Sequence, residues 1–437
     1  MTPFCKFIRA LALAAIVLLL PTAILAQQDG FSITPMGFAA AKLERAQKQM
    51  QRYVDERKLA GMLTLIARQG KVVHAEKYGL QDIENKRPMQ LNTIFRLASL
   101  TKPISSVALL MLYEQSRVQL DDPIAKYLPA FAPTKVYAAD GKLEPMARPN
   151  TVKDALMHTT GLTAPGFGDS PVHKMYGEAG LGKATSLDDF TTRLAALPLL
   201  HQPGAHWSYG YSTDVVSRIV EVVSGMPFGQ FVEQKILQPL KMRDTGFTVP
   251  DEKLERFAVI YASQDSNAMK RVEVPLSAFP RGNSGMVSTV PDYLRFAQML
   301  LNGGELEGVR LLKRETVALM TRNHLPENLI PIGVMDFKFT NHGFGLGFSI
   351  VVEPKPGAAP EKNHPGFWWH RGAPPAGSYG WIGAYMTDVW VDPSNEIIGM
   401  LFTQSADGMK YLFLQEFREL VYEAFGNGAF RSSASHD

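Results

Sequence analysis

Strand-forming stretches at the two ends of the chain bracket a long middle section in which they are nearly absent, and this limits the folds open to the chain. Met62 to Arg68 and Val72 to Glu76 read as two strands joined at Gln69-Gly70, a hairpin. Strand character returns only at Phe344 to Val352, Trp381 to Val391 and Ile397 to Gln404, the last two meeting across Asp392-Pro393-Ser394-Asn395. Between Asp121 and about Leu301 the signals are helical. Ser212 or Thr213 can cap a helix through Val216, Ile219, Val220 and Val223 to a stop at Gly225, and Pro291 opens another that ends at Gly303-Gly304. Amphipathic helices flank both strand regions: Leu43, Ala46, Met50, Tyr53 and Val54 near the start, and Leu412, Phe413, Phe417, Leu420, Val421 and Phe425, stopping at Gly426, near the end. The expected fold is therefore α/β (α+β) and discontinuous. Residues 27–119 and 325–437 build an antiparallel sheet flanked by the N- and C-terminal helices, and residues 120–324 form an inserted, mainly helical lobe.

Residues 1–26 are expected to lie outside this fold. Lys6 and Arg9 form a positive segment, Ala10 to Leu20 is uninterruptedly apolar, and small residues at Ala23 and Ala26 offer cleavage before Gln27, the pattern of an export signal. The apolar run is too short to span a bilayer comfortably, so the mature chain is expected in the periplasm or outside the cell, without stable membrane insertion. The single cysteine, Cys5, falls in this segment, so a mature chain in an oxidising compartment relies on its core alone. Removing Lys6 and Arg9 takes the formal net charge from +3 to +1, and the remaining charges are dispersed. Nothing in that pattern points to nucleic acid.

Chemistry is concentrated at Phe95-Arg96-Leu97-Ala98-Ser99-Leu100-Thr101-Lys102. Pro103 is tolerated only in the first turn of a helix, so a helix starts close to Ser99. Residues three apart share a helix face, which brings the Lys102 amine within reach of the Ser99 hydroxyl, while the helix N-terminus favours a developing anion. That arrangement activates a nucleophile. Ser-x-x-Lys occurs once in the chain. A second element, Pro203-Gly204-Ala205-His206-Trp207-Ser208-Tyr209-Gly210-Tyr211, is a Pro-Gly turn and compact aromatic loop just before a helix, able to present the Tyr209 hydroxyl rigidly into a cleft. A phenol beside a lysine forms a coupled pair that can take a proton from Ser99 and return it to a leaving group. The glycine-punctuated loop between Thr163 and Lys183, with Phe167, Met175 and Tyr176, reads equally as a pocket wall or a surface loop.

With both elements present, the sequence resembles the serine β-lactamase and penicillin-recognising superfamily, and most of all the class C β-lactamases and family VIII carboxylesterases. Three further blocks carry the resemblance in order: Leu156-Met157-His158-Thr159-Thr160-Gly161-Leu162, Leu237 to Phe247 with its Asp244-Thr245-Gly246-Phe247, and Gly285-Met286-Val287-Ser288-Thr289-Val290-Pro291-Asp292-Tyr293. The resemblance implies that Ser99 is the acylated nucleophile, that Lys102 and Tyr209 are its general base and acid, and that the backbone N–H groups of Ser99 and Ala384 form the oxyanion hole. Trp381-Ile382-Gly383 matches the Trp-x-Gly variant of the third motif; His370-Arg371-Gly372 is a rival that sits too far before Asp392-Pro393. Tyr211, Ile382, Phe167 and Trp369 are expected to line the substrate pocket, and Phe367, Trp368 and Trp369 stand either in its wall or in the core.

Two departures from the family pattern bear on the substrate. Tyr-x-Asn becomes Tyr209-Gly210-Tyr211, and the third-motif lysine becomes Trp381, so an amide and a cation give way to aromatic surface. Both changes favour a neutral, apolar ester over an anionic lactam or peptide, although Arg371 leaves an anion a partner. No Gly-x-Ser-x-Gly elbow is present, which argues against an α/β-hydrolase, and the histidines show no metal-binding spacing. His158, in a turn motif, reads as structural. The expected function is a serine hydrolase cleaving short-chain carboxylic esters, with no cofactor or metal and a small-molecule ester or lactam as partner. Alternatives are β-lactamase or D-amino-acid peptidase chemistry at the same site, and a penicillin-recognising binding or sensor protein that acylates without turnover.

Overall fold

The computed structural model describes residues 36–264, 268–335, 337–339, 341–354 and 374–426, together with short strands at Gln27–Gln28 and Phe31–Ser32. Eight antiparallel strands form the central sheet: β1 (Gly61–Arg68), β2 (Lys71–Asp82), β3 (Arg87–Pro88), β4 (His342–Phe344), β5 (Ser349–Val351), β6 (Tyr379–Ile382), β7 (Thr387–Asp392) and β8 (Ile397–Thr403). Their spatial order is β4-β5-β6-β7-β8-β1-β2-β3. The two ends of the chain meet at β8 and β1, in register from Ile397 opposite Arg68 to Thr403 opposite Met62. Gln69 and Gly70 both take positive φ, 50° and 72°, as a two-residue hairpin turn requires.

Each face of the sheet is covered by helices. The helices Ala40–Asp55 and Phe413–Phe425 pack on one face, where Phe417 lies 5.9 Å from Trp390 and 6.0 Å from His74. Burying an aromatic or aliphatic side chain of this size contributes about 1.5–3 kcal/mol, enough to hold both terminal helices on the sheet. The other face receives the helix Val290–Leu301, through Tyr293 at 6.1 Å from Phe402, and the segment leading to Ser99, through Phe95 at 5.5 Å from the same ring. Ser99 thus lies in a turn set against the sheet, and the helix Thr101–Glu114 follows it.

Several elements differ from the sequence-based expectation. Phe344 to Val352 is not one strand: the backbone reverses at Gly345–Phe348, where a Cβ at Gly345 would strike the Met320 carbonyl, and Gly347 has φ +97°. Trp381 to Val391 likewise folds back at Gly383–Met386, with Met386 at φ 67°. Hydrophobic content hid both turns. The loop between Thr163 and Lys183 contains a helix, Pro171–Glu178, capped by the Ser170 side chain. Neither Ser212 nor Thr213 caps the helix Ser212–Ser224; Ser212 is buried, its hydroxyl 2.8 Å from Thr160 Oγ1, and Tyr211 occupies the cap position. The middle section also holds two short hairpins, Lys135–Tyr137 with Leu143–Pro145 and Ile260–Ser263 with Met269–Val272.

Candidate active site

Ser99 sits in a turn held from three sides. Ala98 adopts φ +46°, a left-handed conformation costing a non-glycine residue about 1–2 kcal/mol, and a 3-10 turn, Ala98–Leu100, then leads into the helix Thr101–Glu114. The Leu97 N–H donates to the Met286 carbonyl (2.9 Å), the Met286 N–H to Thr101 Oγ1 (3.2 Å), and Tyr293 Oη to the Leu100 carbonyl (2.9 Å). The block Gly285 to Tyr293 therefore braces the Ser99 turn. Asp292 in turn accepts from the Asp244 N–H (2.7 Å) and Thr245 Oγ1 (2.9 Å), tying in the Leu237 to Phe247 block. Sequence blocks separated by some 200 positions form one scaffold behind Ser99.

The Lys102 amine lies 3.2 Å from Ser99 Oγ and donates to the Asn283 carbonyl at 2.8 Å. Lys102 is 1% exposed, and burial drives its ammonium well below the ordinary lysine value, only partly opposed by the negative charge of Asp214. An ion pair between the fully buried Asp214 and the partly exposed Arg281 fixes this arrangement. Asp214 accepts from Arg281 (2.6 Å) and from the Asn283 N–H (3.1 Å), so it holds the short segment whose carbonyl anchors the amine. Neither Asp214 nor Arg281 stood out in the sequence, although Asp214, in the first turn of the helix following Tyr209, was a position at which a buried carboxylate could have been suspected.

Tyr209 is caged by rings: His158 at 4.8 Å, Phe167 at 5.3 Å, Trp381 at 5.3 Å and Trp207 at 5.8 Å, the last stacked at 18°. Gly210 permits this packing, since a Cβ there would run into the Thr163 backbone. The Tyr209 hydroxyl hydrogen-bonds to the Ser99 side chain and accepts from Trp381 Nε1 at 3.0 Å, and Lys102 Nζ lies 4.5 Å from the centre of its ring. Burial raises the phenol above its ordinary value, with the bonds to Ser99 and Trp381 pulling the other way. Burial drives His158, at the left-handed end of the helix Val152–Met157, well below the ordinary histidine value, and positive charge on Lys102 would lower it further. Its ring is part of the Tyr209 cage as well as of a turn.

Gly383 lets β6 reach the Ser99 turn: a Cβ would collide with the Leu97 carbonyl oxygen and Thr387 Oγ1, and Thr387 Oγ1 itself donates to that carbonyl at 3.1 Å. Ala384 follows in the turn, and among the described residues its N–H makes no backbone hydrogen bond. With the N–H of Ser99, which lies among the normally unpaired donors of a helix start, it borders a cleft of about 650 Å³. Such a pair of amides can hold an oxyanion. Among the described residues no three His, Cys, Asp or Glu side chains converge as metal ligands.

The expected pocket residues separate. Phe167 belongs to the Tyr209 cage. Tyr211 is not in the cleft beside Ser99; it packs edge-on against Phe190 at 5.2 Å with Arg281 over its ring. Ile382 faces away from the site. It pairs with Asp388, whose side chain bonds Arg418 on the C-terminal helix, and residues directly opposite on antiparallel strands share a face, so alternation sends Trp381 toward Tyr209 and Ile382 to the other side. Trp369 lies outside the described residues, as do Phe367, Trp368, His370 and Arg371.

An eight-stranded antiparallel sheet with a Ser-x-x-Lys turn buried against it and a tyrosine brought in from a helical region defines a serine hydrolase of the β-lactamase fold. The profile of the family described as Beta-lactamase matches residues 46–422, and the chain belongs to that family. It is 32% identical over 373 residues to protein Rv1367c of Mycobacterium tuberculosis, covering 83% of this chain and 90% of that one. Esterase EstB of Burkholderia gladioli is 30% identical over 429 residues, covering 90% of this chain and 98% of its own. Among solved structures, EstCE1, described as a hydrolase with promiscuous acyltransferase activity, superposes with a TM-score of 0.71 at 27% identity, over 87% of this chain and 98% of that one.

Proposed function

We propose that this protein is a carboxylesterase working through an acyl-enzyme on Ser99. The observation that carries the reading is the buried Lys102 amine at 3.2 Å from Ser99 Oγ, with its charged form disfavoured by burial. A neutral amine has the lone pair needed to accept the Ser99 proton as Oγ attacks the ester carbonyl. The amides of Ser99 and Ala384 then receive the oxyanion. On collapse the bond from carbonyl carbon to alcohol oxygen breaks, Tyr209 gives its hydroxyl proton to the departing alkoxide, and the Lys102 ammonium returns a proton to Tyr209. Water deacylates Ser99 by the same steps in reverse.

Trp381 supports an ester substrate in two ways. It stands where a cation would bind the carboxylate of a lactam or peptide, and its indole N–H donates to the oxygen of Tyr209, stabilising negative charge as the phenol gives up its proton. The similarity to esterase EstB agrees with this reading. Residues 1–26 are proposed to direct export, which N-terminal sequencing of the secreted chain would test through a start at Gln27.

The test is steady-state hydrolysis of p-nitrophenyl butyrate and of a chromogenic cephalosporin, with Ser99→Ala as control. Faster ester turnover, abolished in Ser99→Ala, is expected. Faster cephalosporin turnover would move the protein to the β-lactamases. Persistent labelling by a fluorescent penicillin without turnover of either substrate would favour a sensor.

A further inference from the structure

The cleft that Ser99 and Ala384 border is much larger than a short acyl chain needs. At about 650 Å³ it lies within the range of sites that take drug-sized ligands, about 300–1,000 Å³. A butyryl group, at about 30 Å³ per heavy atom by analogy with liquid water, occupies about a fifth of it. Somewhat more than half of its described lining is apolar, with Leu181, Ala184, Leu276, Ala278 and Phe279 alongside the polar Ser277, Asn283 and Ser284, and Tyr385 beside Ala384. Among the described residues the lining contains no carboxylate, and its cations are Arg281 and Arg96. Arg281 is paired with the buried Asp214, and Arg96 donates to the carbonyls of Ala258 (3.3 Å) and Val274 (2.9 Å) while stacking on Phe257. Arg281 thus has its counter-charge within the protein, whereas among the described residues Arg96 is held by carbonyls and a ring alone, with its Nε buried and unpartnered.

The geometry also distinguishes the two ends of an ester. Tyr209 must touch the leaving oxygen, yet neither Tyr209 nor Trp381 borders this cleft, whereas Ser99 and Ala384 do. With the carbonyl carbon on Ser99, its oxygen on the two amides and the alcohol toward Tyr209, the fourth direction, that of the acyl chain, enters the cleft. We infer that the preferred substrates are neutral esters of bulky, branched or cyclic apolar carboxylic acids, with the acyl group held between Leu181-Ala184 and Leu276-Phe279. This rests on the acyl-enzyme reading above and departs from the short-chain esters expected from the sequence.

The test compares kcat/KM for p-nitrophenyl esters of acetic, butyric, cyclohexanecarboxylic and adamantanecarboxylic acids. Burying a methylene is worth about fourfold, so the cyclic esters are expected to exceed the acetate by at least tenfold. Ala278→Trp, which fills the cleft, is expected to lower the cyclic-to-acetate ratio at least tenfold; Ala184→Phe, also in the lining, serves if the first variant does not fold. Hydrolysis that needs Ser99 but is fastest on acetate overturns this inference and leaves the esterase reading standing. So does a cyclic-to-acetate ratio unchanged in a folded variant. No Ser99-dependent turnover of any ester overturns both.

Discussion

Replacing Trp381 with Phe removes one hydrogen bond to the proposed acid and leaves an aromatic ring in place. Trp381 Nε1 donates to Tyr209 Oη at 3.0 Å, with the two residues 3% and 8% exposed, so water cannot substitute for the lost donor. In the resting enzyme the bond joins neutral partners and is worth about 0.5–1.5 kcal/mol; once Tyr209 has given up its proton the acceptor is charged and the bond is worth about 1.5–3 kcal/mol. Only the difference, about 1–1.5 kcal/mol, acts on the rate, which corresponds to about a tenfold loss in kcat. KM should change little, because the indole N–H points at Tyr209. The assay is steady-state hydrolysis of a p-nitrophenyl ester between pH 6 and 9, with thermal unfolding monitored to confirm the variant's fold. A kcat within twofold of the parent, or an effect confined to KM, would refute the claim that Trp381 works through Tyr209.

Asp214→Asn should reduce kcat/KM about 10- to 100-fold by releasing the Asn283 carbonyl that anchors Lys102, and should move the acidic limb of the pH–rate profile to lower pH, since the Asp214 charge favours protonated Lys102; an unmoved limb would count against that coupling. Gly383→Ala forces β6 away from Leu97 and misplaces the Ala384 amide, so kcat should fall about 10²–10³-fold with circular dichroism unchanged. His74 is buried against Thr64 and its pKa is lowered by burial from 6.5 to about 4. The unfolded chain therefore takes up the proton first, and stability present above pH 6.5 is lost as pH falls toward 4, by about 3 kcal/mol. Denaturant titrations at pH 7 and pH 4.5 should show this loss flattened in His74→Gln. Arg418→Met leaves the fully buried Asp388 without its cation and should cost about 3–5 kcal/mol in the same assay.

Much of this architecture was legible because its signals are local. The Gln69-Gly70 turn, the stop at Gly225 and the apolar spacing of Leu43, Ala46, Met50 and Tyr53 each depend on a few adjacent residues. The three-residue spacing of Ser99 and Lys102 fixes their proximity on any helix. What escaped was set by contacts between distant segments. The reversals at Gly345–Phe348 and Gly383–Met386 interrupt runs that are otherwise β-prone, and the approach of the Met320 and Leu97 carbonyls accounts for Gly345 and Gly383, while Gly347 is required by its positive φ. Tyr211 follows Tyr209 by two residues in a loop, where period gives no direction, and it turns toward Phe190 and Arg281. Ile382 was misdirected for a simpler reason: a motif names consecutive residues, whereas a strand sends them to opposite faces. The Asp214–Arg281 pair joins positions 67 apart, so no spacing rule reaches it.

The covalent step is the central claim, and rapid-quench mass spectrometry tests it directly. Mixing the protein with an excess of p-nitrophenyl ester should release a burst approaching one p-nitrophenol per chain, and peptide mapping of the quenched sample should find the acyl mass on the peptide containing Ser99, absent in Ser99→Ala and strongly diminished in Lys102→Met. An adduct on another residue, or undiminished turnover in Ser99→Ala, would contradict the account.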